Sequence, residues 1–160
     1  MPEQMNKTQK LTLSGIVMAC YIVIMYFTAS FAFGAYQIRI ATAIYGLAYL
    51  FPFLVLPLGL SNLLSNMLLG GLGFFDIFGG GLIGILTAGT CALLGRFRRS
   101  PYWIVVPITL IPGMGVATWL SYLLSMPYPA LALSLCIGQF IPGVVGALVV
   151  RVLKNYLKRS

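Results

Sequence analysis

The sequence predicts an all-α integral membrane bundle of six helices, with both termini cytoplasmic and residues 1–160 forming a single transmembrane domain. The chain is 60% hydrophobic and only 8% charged, whereas an average soluble domain is roughly 25% charged. So much apolar surface must face lipid, where helices can satisfy all of their own backbone hydrogen bonds. Polar residues also divide the chain into apolar blocks, several of which are close to the ~20 residues that span a bilayer.

The first half of the chain contains three predicted helices. The block 11–29 has about the length of one span. An outer loop follows, and the stretch beyond Arg39 is uncharged and too long for one helix. Pro52 and Pro57 divide this stretch, because proline removes a helix hydrogen bond and clashes with the preceding turn. Two short helices are therefore predicted, at 40–51 and 58–69.

A glycine-rich break at 70–73 separates these helices from the second half. The remaining three helices are predicted at 76–94, 102–124 and 130–153. Small residues recur at four-residue intervals in two of them, and lipid-embedded helices need such residues to approach closely. We therefore expect internal packing at the following stripes: Gly80, Gly84, Ala88 and Ala92 in the fourth helix, and Gly143 and Ala147 in the sixth.

The positive charges set the predicted orientation. Nine of the ten basic residues form three clusters beside apolar blocks: Lys7 and Lys10; Arg96, Arg98 and Arg99; Arg151, Lys154, Lys158 and Arg159. Six spans with a cytoplasmic N-terminus place all three clusters inside and leave only Arg39 outside, as the positive-inside rule requires. The net charge of +8 could also suggest nucleic acid, but no nucleic-acid-reading motif accompanies the clusters, so no nucleic-acid partner is predicted.

The residues needed for catalysis are missing. The chain has no histidine and only two acids, Glu3 and Asp76. These cannot form a catalytic triad or a metal site of histidine, cysteine and carboxylate, and no phosphate-binding GxxxxGK[ST] loop is present. The sequence therefore predicts a protein that is not an enzyme and has no cofactor. Ionisable groups that could couple transport to ions are also missing from the helix interiors, so uphill transport would take its energy from a partner.

The candidate site lies at the outer helix ends, where Arg39 and Asp76 are placed. Two interpretations remain open: a simple helix cap or Arg39–Asp76 ion pair, and a pocket that opens to the outside. Amide and aromatic residues lie at the same level, and the aromatic ones could equally form an interfacial belt. The candidate binding residues beside the two charges are Gln37, Asn66, Phe75, Trp119 and Gln139. Buried amides, including Asn62, need hydrogen-bond partners, and this mixture suits a flat, nitrogen-rich heterocycle.

Gly15 and Ala19 are four residues apart in the cytoplasmic half of the first helix. They could dock an internal neighbour or a partner subunit, and their spacing does not distinguish the two.

Two stretches resemble a known family: Gln37-Ile38-Arg39-Ile40 and the segment GGLGFFDIFG at 70–79. The chain is similar to the substrate-binding S components of energy-coupling factor (ECF) transporters, six-helix bacterial proteins, and most similar to the QueT type, linked to queuosine precursors. The resemblance implies that Gly15 and Ala19 match the small-xxx-small motif that contacts the coupling protein. The sequence departs from the family at Ala41-Thr42-Ala43, where Ser-Glu-Ala is expected and a carboxylate is therefore missing.

The resemblance implies an S component in a bacterial cell membrane that captures a deazaguanine, queuine or a similar heterocyclic vitamin. Its partners would be the small molecule, the membrane lipid, and an ECF module of one transmembrane coupling protein and two ATPases. Asp76 would accept hydrogen bonds from the base edge, Arg39 would face a ring carbonyl, and Phe74, Phe75 or Trp119 would stack on the ring. The alternatives are an S component for another vitamin, a stand-alone facilitator without ATPases, and a structural or assembly subunit.

Overall fold

The computed structural model describes residues 5–32, 37–69 and 72–159, and within these ranges the chain contains helices and no strand. Residues 33–36 of the predicted outer loop and 70–71 of the glycine break lie outside the described residues. The helices are α1 Lys7–Phe27, the short α2 Ala29–Ala32, a 3₁₀ helix Ile40–Tyr49, α3 Val55–Leu69, α4 Phe74–Arg96, α5 Val105–Leu124 and α6 Tyr128–Arg159; short 3₁₀ turns, Pro52–Leu54 and Pro101–Ile104, lead into α3 and α5.

Five helical segments within the described ranges are long and apolar enough to cross a membrane, and they contain α1, α3, α4, α5 and α6. The prediction of an all-α membrane protein is therefore confirmed. The second predicted span instead forms the 10-residue 3₁₀ helix Ile40–Tyr49. At ~2.0 Å per residue it extends about 20 Å, less than the ~30 Å hydrocarbon core. The six-span count and the cytoplasmic termini remain predictions.

Most helix boundaries differ from the predicted ones by two to six residues, and two of these differences have identifiable reasons. Helix α3 begins at Val55, ahead of Pro57, because a proline in the first helical turn does not remove an intrahelical hydrogen bond. Helix α6 continues past residue 153 to Arg159, and basic residues near a helix C-terminus are favoured by the backbone dipole.

The basic clusters meet at one end of the bundle. The Lys154 ammonium donates to the Tyr49 hydroxyl at 2.7 Å, and that hydroxyl donates to the backbone carbonyl of Arg99. The Lys10 ammonium lies 5.8 Å from the ring centre of Phe53. The start of α1, the end of α4 and the tail of α6 therefore lie at the same basic end of the bundle. An even number of passes between these points along the chain produces this arrangement. That this end faces the cytoplasm is still a prediction.

The small-residue stripes of α4 and α6 lie inside the bundle, as their four-residue spacing predicted. Gly80, Gly84 and Ala88 are buried, and so are Gly143 and Ala147 in α6. Ala92, the last member of the α4 stripe, is half-buried and packs against the core. A Cβ on Gly84 would lie 3.1 Å from the Cα of Gly59, so α3 and α4 are in close contact there. Internal packing by these stripes is confirmed.

The α1 pair behaves differently from the other stripes. Gly15 and Ala19 are both exposed, and a Cβ built on Gly15 would meet no atom within 4 Å. The pair therefore does not contribute to packing within the described part of the bundle.

Candidate functional site

A buried group of polar side chains lies at the end of the bundle opposite the basic end. Asp76 and Arg96 occupy the first and last turns of α4, so at ~1.5 Å per residue they are about 30 Å apart. We call this group the polar network; its members are Tyr21, Arg39, Thr42, Tyr45, Asn62, Asn66, Asp76, Trp119 and Gln139. All of them are buried except Trp119, which is half-buried.

The 3₁₀ helix aligns three members of the network on one face. Arg39, Thr42 and Tyr45 follow one another at intervals of three residues, and side chains three apart eclipse one another in a helix with 3.0 residues per turn. Their exposed fractions are 5%, 2% and 0%. The unusual helix type therefore directs a row of polar side chains into the bundle.

Arg39 connects this row to α3. Its guanidinium donates to the Oδ1 of Asn62 at 3.0 Å and also to the Oδ1 of Asn66. The two asparagines are four residues apart, so they lie on the same face of α3. The fork of a guanidinium suits two neighbouring acceptors in this way.

The same two amides connect α3 to α4. The Asn62 amide nitrogen donates to the backbone carbonyl of Gly80 at 2.7 Å, and that of Asn66 donates to the backbone carbonyl of Asp76 at 2.7 Å. Each asparagine thus accepts from Arg39 on one side and donates to α4 on the other. Arg39 is linked to Asp76 through Asn66.

Asp76 contacts two donors with its carboxylate. Its Oδ2 accepts from the backbone N–H of Leu72, and its Oδ1 accepts from the indole N–H of Trp119, both at 3.2 Å. The Leu72 contact closes the turn just before α4, whose dipole favours an anion in its first turn. The Trp119 contact is not explained by this local turn. Because a carboxylate has about four acceptor positions, Asp76 can accept further hydrogen bonds from a ligand.

Gln139 holds the 3₁₀ helix against α6. Its Oε1 accepts from the Thr42 hydroxyl at 2.8 Å, and its Nε2 donates to the backbone carbonyl of Gln37 at 3.2 Å. The single Thr42 proton is shared with the backbone carbonyl of Arg39, which lies 2.7 Å away. Gln37 has a φ of +43°, in the left-handed region that few non-glycine residues adopt. Gln37 contributes its backbone carbonyl to the network, as the acceptor of the Gln139 Nε2 hydrogen bond.

Tyr21 and Tyr45 extend the network to α1. Their hydroxyls are 3.1 Å apart and their stacked rings have centres 5.7 Å apart. Thr42, Tyr21 and Tyr45 are members that the sequence interpretation missed. The interval of three from Arg39 through Thr42 to Tyr45 was the available signal for two of them; no sequence signal marks Tyr21.

One predicted site residue lies apart from this group. Phe75 is 62% exposed, and its ring packs edge-on against Phe74 with the ring centres 6.1 Å apart. The structure therefore brings together Arg39, Asn66, Asp76, Trp119 and Gln139 with the backbone of Gln37, but not Phe75. The ligand-binding roles of all seven remain predictions.

Comparison with known proteins gives one family. The family model described as the QueT transporter matches residues 11–155, most of the chain. Comparison with curated proteins and with solved structures gave no match.

Proposed function

The chain belongs to the QueT transporter family, and on that premise we propose that it is the S component of an energy-coupling factor importer that captures a queuosine precursor. As a member of this family the protein is a multi-pass membrane transporter and not an enzyme. The proposed precursor is a deazaguanine or queuine, taken from outside a bacterial cell.

The observation that carries the substrate proposal is the Asp76 carboxylate, which is 6% exposed and held between Trp119 and Leu72. A deazaguanine presents an amidine-like edge with two adjacent N–H donors. A carboxylate can accept both, as carboxylates do from base edges. The indole of Trp119, fixed beside the carboxylate by its own hydrogen bond, provides an aromatic face on which such a ring can stack.

The other network residues are assigned supporting roles in this proposal. Arg39 is held by Asn62 and Asn66, and in this proposal its guanidinium donates to a ring carbonyl of the ligand. Gln139 and Gln37 close the side of the site formed by α6 and the 3₁₀ helix. Phe75, on the exposed surface of the first turn of α4, stays a candidate for stacking on the ligand ring.

Calorimetry on the purified protein tests the substrate. We expect tight binding of 7-aminomethyl-7-deazaguanine or queuine. Asp76→Asn should weaken it by about tenfold or more, since hydrogen bonds to a charged group contribute ~1.5–3 kcal/mol. Binding of a different vitamin from a comparison panel would instead favour an S component of other specificity. An absence of binding to both bases would reject the substrate while leaving the family assignment intact.

The proposed partner is the ECF module of a transmembrane coupling protein and two ATPases. The exposed Gly15 and Ala19 on α1 support it, because small residues left outside the internal packing allow another helix to approach closely. Uptake of labelled ligand should require co-expression of the module in a host that lacks one. Equal uptake without the module would support a facilitator instead.

A further inference from the structure

A cavity lies at the basic end, far from the polar network. It is a groove of about 1290 Å³ between the start of α1, the turn that leads into α3, and the second half of α4. Lys10, Arg96 and Arg98 line it, together with apolar residues that include Phe53, Leu86 and Leu93.

The residues that line the groove change from charged to apolar along the axis of α4. Arg96 and Arg98 lie at the end of the helix, whereas Leu86 lies about 15 Å deeper at ~1.5 Å per residue. Lys10, the third cation, extends over the Phe53 ring. The groove is therefore cationic at its mouth and apolar towards the middle of the bundle.

Among the residues that the structure describes, no acidic side chain lines this mouth. Of the chain's two acids, Asp76 lies at the opposite end of α4, and Glu3 lies outside the described residues. Three neighbouring cations repel one another, so an external anion placed among them would lower their electrostatic energy.

The floor of the groove has room for an acyl chain. Gly89 lies on the lining, and a Cβ built there would meet only Val55, at 3.9 Å. A Cβ at this position is therefore accommodated, and we expect a longer side chain to extend into the groove.

We propose that this groove binds one anionic phospholipid of the surrounding bilayer. The headgroup phosphate contacts Lys10, Arg96 and Arg98, and an acyl chain lies along Phe53, Leu86 and Leu93. Basic pockets at helix ends recognise anionic headgroups in this manner. An acidic peptide would fit the mouth but not the apolar depth of the groove. This inference is independent of the proposed substrate.

Native mass spectrometry of the detergent-purified protein tests the proposal, with phosphatidylglycerol compared against phosphatidylcholine of identical acyl chains. We expect one phosphatidylglycerol to be retained preferentially. The triple variant K10Q/R96Q/R98Q should reduce this preference by roughly a hundredfold, at ~1 kcal/mol for each of the three cations. The matched triple K7Q/R99Q/R151Q removes the same charge from exposed cations at the same end that do not line the groove, and it should retain the preference.

Gly89→Leu tests the apolar half, since it fills the floor while keeping all three cations. It should reduce phosphatidylglycerol retention as the charge variant does. Equal retention of the two lipids by the wild type, equal loss in both triple variants, or full retention in Gly89→Leu would each overturn the proposal; the first result would also be expected if the groove served a protein partner.

Discussion

The indole nitrogen of Trp119 lies 3.2 Å from Oδ1 of Asp76, and this hydrogen bond joins α5 to the first turn of α4. Gly79 makes the approach possible, because a Cβ at that position would lie 3.0–3.1 Å from three carbons of the indole ring. The single acid of the polar network is therefore oriented by an aromatic side chain from another helix.

Replacement of Trp119 by phenylalanine tests this relationship. Phe keeps an aromatic face but loses the N–H, so the carboxylate loses a positioning donor. We expect the affinity for the deazaguanine to fall by about tenfold, the effect of ~1.5 kcal/mol from one hydrogen bond to a charged group. Calorimetry provides the measurement.

The chain offers a matched control in its other tryptophan. Trp103 is 57% exposed and lies in the 3₁₀ turn Pro101–Ile104 at the basic end, so Trp103→Phe should bind ligand like the wild type. Ligand-dependent quenching of fluorescence should persist in Trp103→Phe and disappear in Trp119→Phe. Equal affinity in the two variants would contradict a positioning role for Trp119.

Gly80→Ala in α4 should disrupt hydrogen bonds of the polar network. Its Cβ would lie 2.4 Å from the Nδ2 of Asn66, so the asparagine must move away from both Arg39 and Asp76. Overpacking of this kind costs ~1–3 kcal/mol. We expect a lower thermal unfolding temperature together with weaker ligand binding.

Gly89→Ala on the same helix is the control, because its Cβ would meet nothing closer than 3.9 Å. This variant should unfold and bind like the wild type. If Gly80→Ala were equally neutral, the Asn66 contacts would not be needed for the site.

The sequence predicted the α-helices better than the segment that organises the site. The proline breaks and apolar block lengths located α3, α4 and α5 to within three residues at each end, and α6 to within two residues at its start and six at its end, since lipid leaves few alternatives to a helix. The segment 40–51 is uncharged and apolar, so its composition could not distinguish an α-helix from a 3₁₀ helix. The interval of three from Arg39 to Tyr45 becomes informative only when the helix type is known.

The contacts of the polar network were likewise only partly predictable from the sequence. Asn62 and Asn66 were predictable as a pair because their four-residue spacing puts them on one helix face. Their partners were not, since the donors and acceptors come from Arg39 and from backbone carbonyls of α4. The glycines at 80 and 84 were predicted only as packing residues. The structure shows that they also make room for polar groups, namely Asn66 and the Tyr45 hydroxyl.

Membrane topology can be tested with two exposed tyrosines. Tyr122 lies near the end of α5 on the side of the polar network, and Tyr156 lies in the basic tail; they are 83% and 70% exposed. In a background without the three native cysteines, we expect an impermeant maleimide to label Tyr122→Cys in intact cells. Tyr156→Cys should react only after permeabilisation, because the basic end is predicted to be cytoplasmic. The reverse labelling pattern would contradict the proposed orientation and would place the polar network on the cytosolic side.

Partner docking through α1 gives the last prediction. Gly15→Leu should leave the isolated protein unaffected, because Gly15 is exposed and a Cβ at this position meets no neighbouring helix within 4 Å. Ligand binding should therefore stay unchanged, while co-purification with the coupling protein and ATP-dependent uptake should be lost, since leucine prevents the close helix approach that glycine permits.

Ile16, which is 55% exposed and faces another direction on α1, supplies the control Ile16→Leu, which should keep both the complex and the uptake. A Gly15→Leu variant that still assembles and transports would show that the coupling protein docks on a different face, whereas loss of ligand binding in this variant would show that α1 positions the site itself.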